Sequence, residues 1–421
     1  MNFAKRFVSA RLDWLLIGLF VGFAVCFNSC SAVSTFKGCS FFCLPLAIMG
    51  CLFLAVLPDR VSSNPALNVG ILVFTVPILF SAVGNMSNLN ATNSLTLLAV
   101  ILLSYLCVRK VGPLRLCRLY VGLISITACF SLAFWIAINI FKVNFSLPVF
   151  ENVNGVHYKT ILIASQYVEA YISRSNSMGF FWESGIFASY LLLAMAVELM
   201  IKSSPSKARM TLLVITLITT GSTAGYLLLP LVIAICILRK GGKGRVLIAI
   251  GLVPLVIVLF LNYQLIIDML VKINPSLFWK LDRSDAVTRI TRLQSPEVCL
   301  ELFSISPVLG LGYGNALQAY SIAISGMPGI DSLTSTSFFQ LAAFGVSGFA
   351  MWGVTVYGLM RTPRFSFPAS IVFASLFIVI LNKEPHTASA LTYILLFSFL
   401  AFSGEGYEKA LTPENRSVDE Q

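Results

Sequence analysis

The chain has 421 residues, 57% of them hydrophobic and only 11% charged, with a mean hydropathy of +0.87. Soluble domains carry roughly 25% charged residues, so too little polar surface is present to cover a water-soluble globule of this size. Length alone suggests two or three soluble domains, but the apolar runs exclude that division. The net charge of +11 would suit nucleic acid; its distribution along the chain assigns it to membrane topology instead, and no nucleic-acid partner is expected.

A spanning helix needs about 20 mostly apolar residues. On that basis candidate spans fall in chain order near 14–33, 41–57, 67–84, 95–108, 118–141, 184–202, 209–222, 224–239, 246–263, 336–360, 367–382 and 389–403. The expected fold is all-α: one polytopic membrane domain over residues 1–421, with about twelve spans. The first run lacks a small-residue cleavage site and reads as a span rather than a leader. Only Thr219 to Gly225 separates the seventh and eighth runs. The ten cysteines form no metal or redox pattern. Cys26, Cys51, Cys107, Cys129 and Cys236 lie in apolar runs, where cysteine acts as a small hydrophobe. Cys30 could pair with Cys39 or Cys43 in an oxidising compartment.

Orientation follows from the basic residues. With both termini on the cytoplasmic side, 19 of the 29 Lys and Arg residues and eight of the 18 Asp and Glu residues fall inside. The entire net charge then sits on the inner face, and the outer side balances to zero. Two segments are too long for connectors, about 142–182 and 264–335, and both are placed outside. Loops beyond about 15 residues are usually functional or disordered. Within the second, Ser295-Pro296-Glu297 reads as a helix start, with proline at the first position.

Ionisable residues are almost absent from the spans, Glu198 near an inner end being the main exception. Function is therefore sought at the outer rim. Glu183 follows the aromatic cluster Phe180-Phe181-Trp182 where the chain re-enters the membrane. It reads either as a helix N-terminal carboxylate favoured by the dipole, with an aromatic belt beside it, or as a carboxylate whose partial burial fits it for proton transfer. Lys280, Arg283, Arg289 and Arg292, interleaved with Asp282 and Asp285, form a cluster suited to phosphate oxygens or a solvated charged loop. Pro307 to Asn315, containing Gly310, Gly312, Tyr313 and Gly314, allows a close backbone approach to a ligand or forms a turn. The last outer loop, Asn382-Lys383-Glu384-Pro385-His386, holds three ionisable groups between two apolar spans. His386 and His157 are the only histidines. Neither has partners at metal-ligand spacing, so no metal or other cofactor is expected.

These features together resemble the Wzy-type O-antigen polymerases of the O-antigen ligase and polymerase superfamily. The matching residues are Gly179-Phe180-Phe181-Trp182-Glu183-Ser184-Gly185, Ser222-Thr223-Ala224-Gly225-Tyr226 and the stretch from Pro307 to Asn315. Arg174 and Gly185 also fit a family spacing of an arginine and a glycine with ten residues between them; no such pair starts from Arg283, Arg289 or Arg292, and Ser184 stands where the family usually has proline.

The resemblance implies a GT-C-like architecture in the bacterial inner membrane, with both long loops periplasmic. It implies a metal-independent glycosyltransferase that moves a growing glycan from undecaprenyl pyrophosphate to another lipid-linked repeat unit, with a chain-length regulator as a further partner. On that reading Glu183 is the first choice of base and His386 the second. Arg174, Arg289 and Arg292 hold the departing pyrophosphate, and Arg283, Tyr313, Asn315 and Glu384 bind substrate. The related ligase, which transfers finished glycan, usually carries a His-Asn pair where Thr334-Ser335 stands here. A flippase or transporter, the alternative of another class, would show repeated halves and a charged central path.

Overall fold

The computed structural model describes residues 17–26, 28–35, 39–59, 61, 64–151, 157–161, 164–167, 176–239, 269, 272, 285–325, 327, 333–362 and 365–402. The candidate span at 246–263 lies outside them. The described chain is mostly helical, in the order α1 (Ile17–Cys26), α2 (Cys39–Val56), α3 (Pro65–Gly84), α4 (Asn88–Val111), α5 (Pro113–Asn139), α6 (Ser184–Ile201), α7 (Lys207–Thr219), α8 (Thr223–Leu238), α9 (Asp285–Ile305), α10 (Tyr313–Ser325), α11 (Thr336–Phe344), α12 (Ser347–Met360), α13 (Phe367–Lys383) and α14 (Ala390–Phe402). Among the described residues, four helices are long and apolar enough to cross a membrane: α3, α5, α6 and residues Leu89–Val111 of α4. Five shorter apolar helices, including α13 and α14, accompany them.

Local chemistry explains the boundaries. Asn64 caps α3, accepting from the Ala66 and Leu67 amides at 2.9 and 3.3 Å, and Pro65 opens the helix, where its missing N–H costs nothing. Gly112, at φ 91°, turns the chain between α4 and α5. The break between the seventh and eighth runs comes from Gly221 at φ 62° followed by Ser222, whose hydroxyl accepts from the Gly225 amide at 3.2 Å.

Three expectations are corrected. The run 336–360 is two helices, because Gly345 adopts φ 61° and ends α11. Helix α9 does not start at Ser295; it begins at Asp285 and passes through Pro296. An interior proline costs about 3 kcal/mol, and burial of Val298, Cys299 and Leu302 beside α11 offsets that. The first long segment holds a small antiparallel sheet in the order β1 (Val149–Glu151), β2 (His157–Thr160), β3 (Ser165–Tyr167), with Phe150 opposite Tyr158 and Lys159 opposite Gln166.

Helices α6 and α14 are buried over their whole length, as expected of helices that are apolar all round. Helix α6 packs on α5, α7, α8 and α13, while α14 packs on α3, α4, α5 and α12. Aromatic edges lock α14 in place: Phe397 meets Phe74 of α3 and Tyr105 of α4, and Phe399 meets Phe373 and Phe377 of α13.

Helix ends fall into two groups. One is basic and paired: Asp59 bridges Arg109 and Lys110 at 2.6 and 2.7 Å, and the fully buried Glu198 meets Arg209 at 2.9 Å. There Arg239 also donates to the carbonyls of Leu199 and Lys202, holding the last turn of α6. The other end gathers the start of α6, the end of α13 and the start of α14.

Candidate functional site: a buried charge cluster at the start of α6

The segment 28–32 builds this end. It lies between the chain entering α6 and the loop joining α13 to α14, pairing Ser31 with Phe181 and Asn28 with Ser389. Its backbone bonds run from Ala32 N to Phe180 O (2.9 Å), Trp182 N to Cys30 O (3.2 Å) and Ser29 N to Ala388 O (3.3 Å). Glu183 and His386, far apart in sequence, are thereby brought to one place. Phe180 and Phe181 are not an interfacial belt: both are buried, and Phe181 stacks on Phe187 and on Tyr190 at 5.6 and 4.6 Å.

Glu183 is the N-cap residue of α6, half-buried, and its side chain makes no capping bond. Two residues on, Gly185 is a meeting point. A β-carbon there would lie 3.1 Å from Glu384 Oε1, 3.4 Å from Glu183 Oε1 and 3.5 Å from Lys383 Nζ. Lys383 and Glu384 are both buried and form an ion pair at 3.4 Å. The Lys383 ammonium also donates to Gly185 O at 2.8 Å and to Ser189 Oγ at 3.3 Å. Two carboxylates and one ammonium thus converge on the first turn of α6.

His386 lies beside them, 1% exposed. Its amide donates to Thr336 Oγ1 at 2.8 Å, and that hydroxyl donates to Glu384 O at 3.1 Å. Its Nδ1 is 3.0 Å from Thr392 Oγ1 and 3.3 Å from the Tyr190 hydroxyl, with Cys30 Sγ at 3.7 Å. Nε2 has no hydrogen-bond partner among the described residues. Burial, with Lys383 adding to it, pushes the imidazole down to about 3, so His386 is neutral at pH 7. Such an imidazole is a feeble base, and His386 serves here as a hydrogen-bonding group. Cys30 is a free thiol, pushed up to about 12 by burial, and forms no disulfide.

Next to His386 is a cavity of about 220 Å³, walled mainly by Phe74, Phe338, Trp352, Phe377 and Tyr393. Its polar rim includes Asn382, whose Oδ1 accepts from Ser335 Oγ at 2.8 Å and from Ser337 N at 3.2 Å.

The other expected site residues are placed less directly. Arg174 and Arg283 lie outside the described residues. Arg289 and Arg292 fall on α9. Ser295, one turn after Arg292, accepts from the Thr334 amide at 3.2 Å, which sets that part of α9 beside the start of α11. Tyr313 is buried and donates to Thr387 Oγ1 at 3.2 Å, next to His386 in sequence. Asn315 is removed from the cluster, bonding Ser87 Oγ at 2.7 Å.

The glycine element is a clasp rather than a cradle. A β-carbon on Gly310 would lie 2.3 Å from Ala343 O, and one on Gly345 would lie 2.4 Å from Val308 O. Gly312 and Gly314 close on α4 in the same way, at 2.4 Å from Asn90 Nδ2 and 2.6 Å from Leu89 O. Among the described residues no group of three or more His, Cys, Asp or Glu side chains could hold a metal ion.

Sequence reasoning missed Lys383, treated only as a basic residue in a short loop, and Thr336 and Tyr190, which orient His386. A lysine closing an apolar helix directly before a glutamate was the available signal. No protein-family model matches the chain, and no curated protein matches it, so the geometry carries the functional reading.

Proposed function

We propose that the chain polymerises undecaprenyl-pyrophosphate-linked repeat units at the periplasmic face of a bacterial inner membrane. The observation that carries this reading is the convergence of Glu183, Lys383, Glu384 and His386 at the bundle end opposite the basic one. Basic loops stay cytoplasmic, which turns the cluster outward, where lipid-linked repeat units await extension.

The chemistry assigns each group a role. Glu183 takes the proton of the acceptor hydroxyl as its oxygen bonds to the anomeric carbon of the donor glycan. The bond from that carbon to the phosphate oxygen breaks, and undecaprenyl pyrophosphate leaves as an anion. Arg174, Arg289 and Arg292 steady the anion through paired N–H donors. Neutral His386 holds a sugar hydroxyl through Nε2, and the aromatic-walled cavity beside it suits hydrocarbon of the lipid carrier.

One observation favours transport instead. Ionisable groups buried among helices commonly serve coupled transport, and Lys383, Glu384 and His386 are buried. They sit at helix ends rather than midway along the bundle, which suits a surface reaction better.

Complementation of a polymerase-deletion strain tests the reading. The wild-type gene should restore a ladder of glycan lengths, while Arg289→Ala and Arg174→Ala should accumulate normally and display single repeats. A full ladder from both variants would remove the pyrophosphate assignment. Orientation is tested separately by impermeant maleimide on Val143→Cys and Ser203→Cys, in a background stripped of exposed native cysteines. Labelling of Ser203→Cys alone from the periplasm would overturn the mechanism.

A further inference from the structure

The cavity beside His386 is open on one side. Its inner wall is Phe74, Phe377, Tyr393 and Leu396, all buried, while Trp352 and Val356 of α12 and Ile378 and Leu381 of α13 are partly exposed. The mouth therefore lies between α12 and α13. Tyr357 and Val379, exposed beside it, carry large apolar surfaces, so the mouth faces hydrocarbon rather than water.

Among the described residues no Lys, Arg, Asp or Glu lines this cavity. Its polar groups are mostly engaged elsewhere. Thr336 Oγ1 bonds His386 N and Glu384 O, Thr355 Oγ1 bonds Met351 O, and the Tyr393 hydroxyl bonds Thr387 O. The Asn382 amide is held by Ser335, Ser337 and Ile378. His386 Nε2 stands apart, buried and without a hydrogen-bond partner among the described residues. A bound water needs two to four polar partners, and one open atom does not supply them. An apolar pocket with one polar group to orient its occupant suits a ligand of matching make-up.

The other ring nitrogen decides what that ligand must bring. Nδ1 lies 3.0 Å from Thr392 Oγ1 and 3.3 Å from the Tyr190 hydroxyl. Which nitrogen carries the proton is set by the bond the other makes. As with backbone groups, an orphaned buried N–H is rarer than an orphaned acceptor. The proton therefore sits on Nδ1, donated to Thr392, and Nε2 is a bare acceptor that calls for an O–H. At about 30 Å³ for each water-sized group, the cavity of about 220 Å³ takes roughly seven of them.

We propose that this cavity binds an uncharged, membrane-soluble alcohol, which enters between α12 and α13, lays its apolar body against the aromatic wall and donates its hydroxyl to His386 Nε2. The binding goes beyond the polymerase reading. One consequence rests on that reading: Nε2 is the atom assigned above to a sugar hydroxyl, so a seated alcohol competes with the substrate.

The test uses the full chain in lipid bilayers, with isotopically labelled histidine and a His157→Gln change that leaves His386 as the one imidazole. A bare ring nitrogen resonates far downfield of a protonated one, so nitrogen NMR reads the tautomer and the hydrogen bond together. Without additive, Nδ1 should carry the proton. Octanol should then move Nε2 upfield and saturably. Its isomer heptyl methyl ether has the same size and no O–H, and should leave Nε2 in place. Methyl glucoside brings hydroxyls without an apolar body and should also leave it in place. Val356→Trp, filling the mouth, should abolish the octanol shift. If that variant fails to accumulate, Ile378→Trp on the facing helix decides in the same way.

A proton on Nε2 in the free protein, an equal response to the ether, or an octanol shift that survives a filled mouth overturns the proposal. So does a response to methyl glucoside alone, which would reserve Nε2 for the glycan. In the transfer assay octanol should raise KM at least severalfold with kcat unchanged, and the ether should not. An octanol shift in a protein that builds no ladder upholds the alcohol site and sinks the polymerase reading. A ladder from a protein whose Nε2 ignores octanol upholds the polymerase reading and sinks the alcohol site.

Discussion

Replacing Gly310 by alanine probes whether the glycine element is structural. Gly310 has φ 72°, where an L side chain costs about 1–2 kcal/mol. Its new methyl would lie 2.3 Å from Ala343 O and 2.4 Å from Phe344 N, both backbone atoms. No rotamer change relieves that contact, so the loops must part by roughly an ångström to reach a normal separation. Parting them strains the bonds from Leu311 N to Ala342 O (2.9 Å) and Gly312 N to Ala343 O (3.0 Å). A buried partner left unpaired costs about 1–3 kcal/mol. The sum is about 2–5 kcal/mol, a large part of the 5–15 kcal/mol that holds a typical protein folded.

The assay is accumulation in the membrane and thermal melting in detergent. Gly122→Ala is the matched control: Gly122 lies inside α5 with nothing within 4 Å of its new carbon, and should gain about 0.5–1 kcal/mol. Gly310→Ala should accumulate poorly and melt well below wild type. Normal melting with loss of chain extension would refute the clasp and restore the element as a ligand cradle.

Further outcomes follow from the same geometry. His386 is held far below its ordinary value of 6.5, at about 3, so the unfolded chain binds a proton that the folded chain refuses. Its contribution to stability is present above the unfolded value and is lost as pH falls from 6.5 toward 3. That amounts to about 2 kcal/mol by pH 5, and a His386→Gln variant should melt with a flatter acid profile. Thr336→Val strips the acceptor of the His386 amide and a donor to Glu384 O. It should cost about 1–3 kcal/mol and lower transfer at constant accumulation. Val356→Trp projects bulk into the cavity beside His386. It should raise KM for a full-length lipid carrier at least severalfold, and barely affect a short-chain analogue.

The helices were largely legible because apolar run length and capping chemistry are local: Asn64-Pro65 and Gly221-Ser222 are readable where they stand. The break at Gly345 was not, since its left-handed turn is selected by the backbone of Pro307 and Val308, far earlier in the chain, which closes on it. Helix α9 ran through Pro296 because packing on α11 outweighs the lost hydrogen bond. The small sheet in the first long segment lacks the alternation that would have marked it. Of the site, Glu183, Glu384 and His386 were legible as ionisable groups near span ends. Their convergence was not, because it depends on segment 28–32 lying between two distant loops. Lys383 was hidden by the same cause: its role is set by Gly185, 198 positions away in sequence.

The central claim is tested most directly with the purified chain in lipid nanodiscs, supplied with undecaprenyl-pyrophosphate repeat units and followed by glycan length. Wild type should build a ladder, and Glu183→Gln, which keeps shape and hydrogen bonding but cannot take a proton, should slow extension by about 10²–10⁴-fold. A Glu183→Gln protein that builds the ladder at the wild-type rate would contradict the account.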